Sequence, residues 1–325
     1  MHTLVLCGGG LVGLRQLGVL AETDLRDLRE IHAVSAGSVT AVLLCCALAA
    51  TPPLAVAELV EYVVRQPWDR TAAAALAAAV AGGAVAPTRK GMLDATLFDG
   101  LLRGCMQQLA GGLDPATATL ADLAARCGGV TCRFTTFDVN AFATVEIPQC
   151  ARVLDAVHAA CAIPGVFEPA FLGDDRCCVD AGFACNMPWP AAGTGTDSGG
   201  VLGIDYVVRG CCSDAASSSG DAPALTPSST LSSFVAVLWR QCSNRVRASL
   251  ADGAARRKPP GATCVVIEFE RDDNPMWAAN VFSALKPGAE GEANRRRWIS
   301  GVGRVLPDLD PAGHPDTSRA CDFVD

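Results

Sequence analysis

Hydrophobic positions follow two different periods along the first fifty residues. Residues 2–7 form a short apolar run that ends in three glycines, and residues 30–34 form a second run that ends in Ser35. Each run is followed by apolar residues at helical spacing, from Val12 to about Leu20 and from Val39 to Ala50. The pattern predicts two strand–helix units, and the helix over 39–50, which is apolar on every face, is expected to be buried.

The remaining pattern continues this alternation of strands and helices. Two β-rich runs separated by Asn140-Ala141 predict a hairpin. Strands alternating with helices are typical of an α/β fold, so we expect a three-layer α/β/α sandwich with a mostly parallel central sheet. The predicted helices lie over residues 54–64, 71–86, 97–109, 120–126 and 154–161, and the predicted strands over 130–139, 142–147, 177–179, 202–208 and 264–269.

Composition excludes several classes of protein. Half of the 325 residues are hydrophobic and 18% are charged, which favours a large packed core over a disordered chain. The net charge of −8 argues against nucleic acid as a partner. The 16 cysteines include no C-x-x-C spacing and are expected to be buried thiols kept reduced. With no apolar run of about 18 residues and no charged signal-peptide start, we expect a cytoplasmic protein without a transmembrane segment.

The N-terminal glycines fit two kinds of site. Gly8-x-Gly10-x-x-Gly13, between a strand and a helix, matches the dinucleotide fingerprint, but the acidic residue expected at the end of the next strand is absent. Alternatively, the backbone N–H groups of Gly8, Gly9 and Gly10 form an oxyanion hole at the positive end of the helix. A plain strand-to-helix turn is the structural alternative, and the glycines alone leave the choice open.

Ser35 is the candidate nucleophile. Ala33-Val34-Ser35-Ala36-Gly37 follows a strand and opens a helix, and its small residues allow the sharp turn of a nucleophile elbow, G-x-S-x-G. The structural alternative is that Ser35 caps the following helix.

Two residues are candidates for the base that Ser35 needs. His314 is the one histidine after the candidate aspartate, in a Pro-rich tail, while His32 and His158 are expected to be structural. Asp180 ends a short strand, and in a parallel sheet its position at the carboxyl edge would bring it to Ser35. Burial in an apolar cleft would raise the pKa of Asp180 and make it a better base, whereas a turn-capping role is the structural alternative.

Taken together, these motifs resemble the patatin-like acyl hydrolases over about residues 3–210. The resemblance rests on the glycine loop, the Ser35 elbow, Asp180-Ala181-Gly182, and four further segments: Leu17 to Leu20, Thr119 to Leu123, Ala162 to Pro169, and Asn186-Met187-Pro188. It implies a Ser35–Asp180 dyad with no catalytic histidine, an oxyanion hole from Gly8, Gly9 and Gly10, and no cofactor or metal. It implies phospholipids or other acylglycerols as substrates, cleaved through an acyl-enzyme.

The resemblance also sets the expected organisation of the chain. We expect a catalytic domain over residues 1–275, with a Gly/Ser/Pro-rich loop at about 211–230, and a C-terminal extension of unknown role over 276–325. Residues 191–200 are also expected to form a loop.

Three substitutions depart from the family pattern. Val12 replaces the basic residue of the glycine loop, with Arg15 one turn later, while Ala33 and Ala181 replace glycines. Ala181 would be strained if the turn required a positive φ. These departures motivate the alternative of a catalytically weak or inactive protein that binds lipid or a protein partner, and the dinucleotide-binding oxidoreductase remains a third hypothesis.

Peripheral contact with a membrane is expected of an enzyme that acts on lipids. Trp68, the alanine-rich helix and the segment from Met92 to Phe98 are candidates for an apolar rim, although core packing is the commoner role of such residues. Arg295-Arg296-Arg297 with Trp298 could contact anionic headgroups. We favour a solvated helix face for that run.

Overall fold

The computed structural model describes residues 1–68, 70, 91–173, 176–190, 200–209, 258–275 and 278–306. Its helices are α1 (Val12–Ala21), α2 (Ala36–Ala49), α3 (Val56–Arg65), α4 (Thr96–Gln108), α5 (Leu120–Arg126), α6 (Val153–Cys161), α7 (Ala278–Ala284) and α8 (Gly288–Ser300). Its strands are β1 (Thr3–Leu6), β2 (Glu30–Val34), β3 (Gly91–Leu93), β4 (Thr131–Asp138), β5 (Ala143–Glu146), β6 (Gly165–Phe167), β7 (Ala170–Leu172), β8 (Arg176–Asp180), β9 (Val201–Val208), β10 (Thr263–Phe269) and β11 (Arg304–Leu306).

The central sheet is mixed and has the order β11-β10-β9-β1-β2-β4-β8-β7. The five strands from β10 to β4 are parallel to their neighbours, whereas β11, β8 and β7 run antiparallel at the two ends. The predicted hairpin is present, since β5 pairs antiparallel with β4. The expected α/β class, with a mostly parallel sheet flanked by helices, is therefore confirmed.

The sheet is buried on both faces where it carries the candidate site. Leu4 and Leu6 of β1 point into the main core, while Val5 packs with Trp189 on the opposite side. Helix α2 follows β2 and contributes ten buried residues, as its uniformly apolar sequence predicts. Burial on both faces is typical of parallel strands, which explains why β1 and β2 read as continuous apolar runs.

Helix α8, from the C-terminal part of the chain, packs against α1 and α3. A Cβ on Gly18 would overlap the Ile299 carbonyl oxygen, so a glycine at this position lets the two helices approach closely. Arg15 Nη1 donates to the same carbonyl at 2.8 Å. The domain boundary at 275 remains a prediction.

Two residues of the run Arg295-Arg296-Arg297 lie on the solvated face that the sequence suggested, but Arg295 does not. Arg295 is 3% exposed, and its guanidinium donates to the carbonyl oxygens of Val64, Gln66 and Ala284. Trp298 is also buried. Arg296 and Arg297 are exposed and pair with Glu61 and Asp273.

The apolar-rim candidates that can be described pack on the protein core. Trp68 is partly buried and its Nε1 donates to Val63 O at 2.8 Å, and Phe98 is buried against Phe167. The alanine-rich helix over 71–86, the predicted loops at 191–199 and 211–230, and His314 lie outside the described residues. Within the described ranges, no helix is long and apolar enough to cross a membrane, and the cysteines are free thiols, most of them buried.

Candidate active site

Ser35 occupies a sharp turn between β2 and α2. Its backbone has φ 51° and ψ −131°, a conformation that non-glycine residues rarely adopt, and its side chain makes no capping hydrogen bond to α2. The helix-cap interpretation is therefore wrong. A strained residue at a strand–helix turn is typical of nucleophile elbows, in which the sharp turn exposes the serine hydroxyl at the end of the sheet.

Small residues make this turn possible. A Cβ on Gly37 would lie 2.6 Å from Leu6 O and 2.7 Å from Cys7 O, because α2 begins directly against the end of β1. A Cβ on Gly8 would lie 2.7 Å from Ser35 Cβ, closer than real Cβ atoms approach. The two glycines thus bring the end of β1 and the Ser35 turn into direct contact.

The glycine loop follows β1, and its first residue, Gly8, lies against Ser35. Gly9 and Gly10 adopt positive φ values of 127° and 58°, which glycine accepts without strain. Gly9 O and Gly10 O accept from Val12 and Gly13 in the first turn of α1. Among the described residues, the N–H groups of Gly8, Gly9 and Gly10 donate to no protein acceptor, so they are free to bind an external oxygen.

Asp180 lies close to Ser35 because of a strand arrangement that differs from the one we expected. We expected two parallel strands ending at one edge, but β8 runs antiparallel to β4. Val34 lies beside Thr135 and Asp180 beside Thr136, so register across β4 places Ser35 and Asp180 at the same level. The carboxyl-edge argument was wrong, although the two residues do meet.

The end of α6 fixes both backbones. Ser35 N donates to Ala160 O at 3.2 Å, and Asp180 N donates to Ala162 O at 3.0 Å. These carbonyls lie at the C-terminus of the helix, where they lack partners within the helix. One helix end therefore sets the spacing between the serine and the aspartate.

Asp180 is 3% exposed, and its carboxylate accepts a hydrogen bond from the Gly182 N–H. Burial raises the pKa of Asp180 to about 6, and hydrogen bonds from the Ser35 side chain and from Gly182 N–H offset part of that rise. The Gly182 bond to Asp180 Oδ1 is 2.7 Å long. A carboxylate with a pKa in this range can accept a proton from an alcohol more readily than an exposed one can.

Sequence reasoning missed two side chains that line the site. The carboxamide oxygen of Asn186 lies 3.0 Å from the position of a Cβ on Gly8, and Tyr206 lies against Gly9. Asn186 was noticed only as part of the Asn-x-Pro segment, six residues after Asp180. The Tyr206 position follows from the pairing of β9 with β1, which no local pattern reveals.

The departures from the family pattern have structural explanations. Val12 and Ala33 are fully buried in the main core, and Arg15 is turned toward α8 rather than toward the glycine loop. Arg15 therefore does not replace the missing basic residue of the loop. Among the described non-glycine residues, the ones with a positive φ are Ser35 and Phe142. Ala181 is buried and is not one of them, so its backbone carries no strain.

His158 and His32 lie in structural settings. His158 Nε2 lies 2.8 Å from Glu168 O, and His32 Nε2 lies 3.1 Å from Glu30 within β2. Across the described part of the chain, no group of three or more His, Cys, Asp or Glu side chains is placed to hold a metal ion.

A strained serine at a strand–helix turn of an α/β sheet is a feature of α/β hydrolases. The family model of patatin-like phospholipases matches residues 4–192, more than half of the chain. The protein belongs to the patatin-like phospholipase family. This membership supports a lipid hydrolase and argues against a dinucleotide-binding oxidoreductase.

Comparison with solved structures gives distant similarities. VipD from Legionella pneumophila is 13% identical with a TM-score of 0.39, covering 94% of this chain and 68% of that one. The type III effector ExoU is 13% identical with a TM-score of 0.40, covering 92% of this chain and 51% of that one. ExoU from Pseudomonas aeruginosa, in complex with SpcU, is 16% identical with a TM-score of 0.36 and coverages of 78% and 52%. No curated protein matches the sequence.

Proposed function

We propose that the protein is a lipid acyl hydrolase of the phospholipase A type, which cleaves ester bonds of phospholipids or other acylglycerols. Ser35 is the nucleophile that accepts the acyl group, and Asp180 is its base. The N–H groups of Gly8, Gly9 and Gly10 stabilise the oxyanion. No cofactor or metal takes part in this scheme.

The observation that carries the proposal is the contact between the Ser35 side chain and the buried Asp180 carboxylate. Asp180 has a pKa of about 6, so it is mostly ionised at neutral pH while remaining basic enough to take a proton. The strained Ser35 backbone and the free glycine amides beside it support the same chemistry.

The proposed reaction proceeds in two halves. Asp180 takes the hydroxyl proton as Ser35 Oγ forms a bond to the ester carbonyl carbon, and the carbonyl electron pair moves onto the oxygen facing the glycine amides. Collapse of this intermediate breaks the bond to the alcohol, which leaves with the proton from Asp180. Water then attacks the acyl-enzyme with Asp180 again as base, which releases the fatty acid and restores Ser35.

The test compares ester hydrolysis by four forms of the protein: wild type, Ser35→Ala, Asp180→Asn and His314→Ala. Substrates are mixed phospholipid vesicles and a soluble p-nitrophenyl ester. We expect losses of at least ~10³-fold for the first two variants and none for His314→Ala. A fluorophosphonate probe should label wild type and spare Ser35→Ala. Loss of activity in His314→Ala, with Asp180→Asn active, would make His314 the base in place of Asp180.

An inactive binding protein is the second candidate, because Val12 is buried and Arg15 faces away from the loop. It predicts that wild type and Ser35→Ala hydrolyse every ester at the same background rate. It also predicts no labelling by the fluorophosphonate. Vesicle binding without hydrolysis would then define the function.

A further inference from the structure

The ring of Tyr206 packs against the middle residue of the glycine loop. A Cβ on Gly9 would lie 2.6 Å from Tyr206 Cε1, 2.8 Å from Cζ and 3.0 Å from Oη, so the ring occupies the space where a side chain at this position would stand. Strand register explains the contact. Strand β9 pairs with β1 so that Ile204 lies beside Leu6, and Tyr206 follows two residues later, where β1 has given way to the loop.

The Tyr206 ring is itself held by the C-terminal part of the chain. Tyr206 is buried and meets Phe269 of β10 edge to face, with ring centroids 6.2 Å apart, and Phe269 packs on Trp298 of α8 at 5.8 Å. From the same part of the chain, Pro275 O accepts a hydrogen bond from Leu11 N, directly after the loop, at 3.3 Å. These rings all lie beyond residue 192, where the match to the family model ends.

Packing is what is left to fix the orientation of the Gly9 amide. The Gly9 carbonyl accepts from Val12 N at 3.1 Å, which fixes the peptide that follows Gly9. The peptide before it, which carries the Gly9 N–H, makes no hydrogen bond to any residue that the structure describes. Gly9 has a φ of 127° and glycine neighbours on both sides, so its backbone has the greatest conformational freedom of any residue type.

We propose that Tyr206 is a positioning residue, whose ring packs on Gly9 and holds the amide of this glycine in the orientation that binds the oxyanion. This inference rests on the proposed function, which assigns the oxyanion to the amides of the glycine loop. Donors stabilise a developing charge best when they are fixed before the reaction begins, because no free energy is then spent on orienting them. Tyr206 acts through Gly9 and takes no part in the bond changes.

Three variants of Tyr206 test the inference on the p-nitrophenyl ester. Tyr206→Ala removes the ring, and Tyr206→Leu removes its flat face while keeping most of the apolar volume that folding needs. We expect both to lower kcat by ~10- to 10²-fold, up to the effect of losing one oxyanion donor, with KM within about threefold of wild type, because an oriented amide matters most in the transition state. Tyr206→Phe keeps the ring and should retain kcat within about threefold.

The matched control is Tyr62→Ala, at the other tyrosine of the chain. Tyr62 lies on α3, packs on the main core and donates from its hydroxyl to Gln108 Oε1 at 2.9 Å. Its removal should lower the unfolding midpoint and leave kcat unchanged. A general loss of stability would lower kcat in the control and in the Tyr206 variants alike.

A double-mutant cycle with Gly9→Ala tests whether Tyr206 acts through Gly9. The added Cβ meets the tyrosine ring, so Gly9→Ala should itself lower kcat. If the ring works by holding Gly9, the double variant Gly9→Ala/Tyr206→Ala should have a kcat no lower than that of the worse single variant, whereas independent roles predict that the two losses multiply.

Three results overturn the inference: a kcat within about threefold of wild type in the folded Tyr206→Ala or Tyr206→Leu variant, an equal loss in Tyr206→Phe, or multiplied losses in the double variant. An equal loss in Tyr206→Phe would assign the effect to the hydroxyl instead of the ring. Failure of the proposed function looks different: wild type itself then hydrolyses no ester and takes no fluorophosphonate.

Discussion

Replacing Asp180 with asparagine should abolish activity and yet stabilise the fold at alkaline pH. The pKa of Asp180 is about 6 in the folded protein, because burial penalises the charged carboxylate. In the unfolded chain it returns to about 3.9. The difference of about two units corresponds to about 3 kcal/mol of unfolding free energy.

The sign of the effect follows from the protons bound in each state. Between about pH 4 and pH 6 the folded protein retains a proton that the unfolded chain has released, so the stability of wild type falls as the pH rises through this window. Below about pH 4 both states are protonated and the penalty is absent. The carboxamide of the Asp180→Asn variant does not titrate, and its oxygen can still accept the hydrogen bond from Gly182.

Urea unfolding of wild type and Asp180→Asn from pH 4 to pH 8 measures this difference. We expect the variant to gain about 3 kcal/mol relative to wild type across that range, with the gain complete above about pH 7. Asp122→Asn is the control with the opposite sign. Asp122 is exposed, and hydrogen bonds from the backbone and side chain of Thr119 lower its pKa, so its removal should destabilise by the same amount from pH 4 to pH 8 and matter less only below about pH 4. A pH-independent difference for Asp180→Asn would refute a raised pKa at this site.

Three further predictions concern catalysis and packing. The kcat/KM of wild type should fall on the acid side with an apparent pKa near 6, which a pH–rate profile on the p-nitrophenyl ester measures. Gly8→Ala places a Cβ 2.7 Å from Ser35 Cβ and should lower kcat/KM by ~10²-fold in the same assay. Its control is Gly104→Ala, where the new Cβ meets open space. This control should leave activity unchanged and raise the free energy of unfolding in urea by about 0.5–1 kcal/mol. Arg295→Ala leaves the carbonyls at the ends of α3 and α7 without a donor and should cost about 3 kcal/mol in urea unfolding; a loss below about 1 kcal/mol would show that water replaces the guanidinium.

Local patterns were sufficient to predict much of the sheet and the Ser35 turn. Strands β1 and β2 are continuous apolar runs, and β4 and β5 are β-rich runs separated by a turn. Helix α2 is apolar on every face. The length and periodicity of each segment predict a single strand or helix. The strands β3, β6, β7 and β11 are three residues long, too short to leave a period in the sequence. The solvated face predicted for the arginine run holds for Arg296 and Arg297 and is wrong for Arg295, whose carbonyl partners on distant parts of the chain bury it.

The site shows the same division between local and long-range information. Small residues around Ser35 and the glycines of the loop predicted a sharp turn and free amides, since both features depend on neighbouring residues alone. The direction of β8 depends on pairing with β4, more than forty positions earlier in the chain, and no local signal encodes it. The pairing of Ser35 with Asp180 therefore stays a prediction from motif resemblance, and the geometric reason offered for their proximity was wrong.

The site combines two features that oppose stability, a strained serine backbone and a buried carboxylate. Both are attached to rigid elements: Ser35 and Asp180 bond through their amides to carbonyls at the end of α6, and their strands pair with β4 on either side. Neither residue depends on a loop outside these elements for its position. The packing of the core therefore offsets the free energies of backbone strain at Ser35 and of carboxylate burial at Asp180. This arrangement explains how departures such as Ala33 are tolerated: the added methyl group lies in the main core, while the atoms that would react are held by backbone contacts that the substitution does not touch.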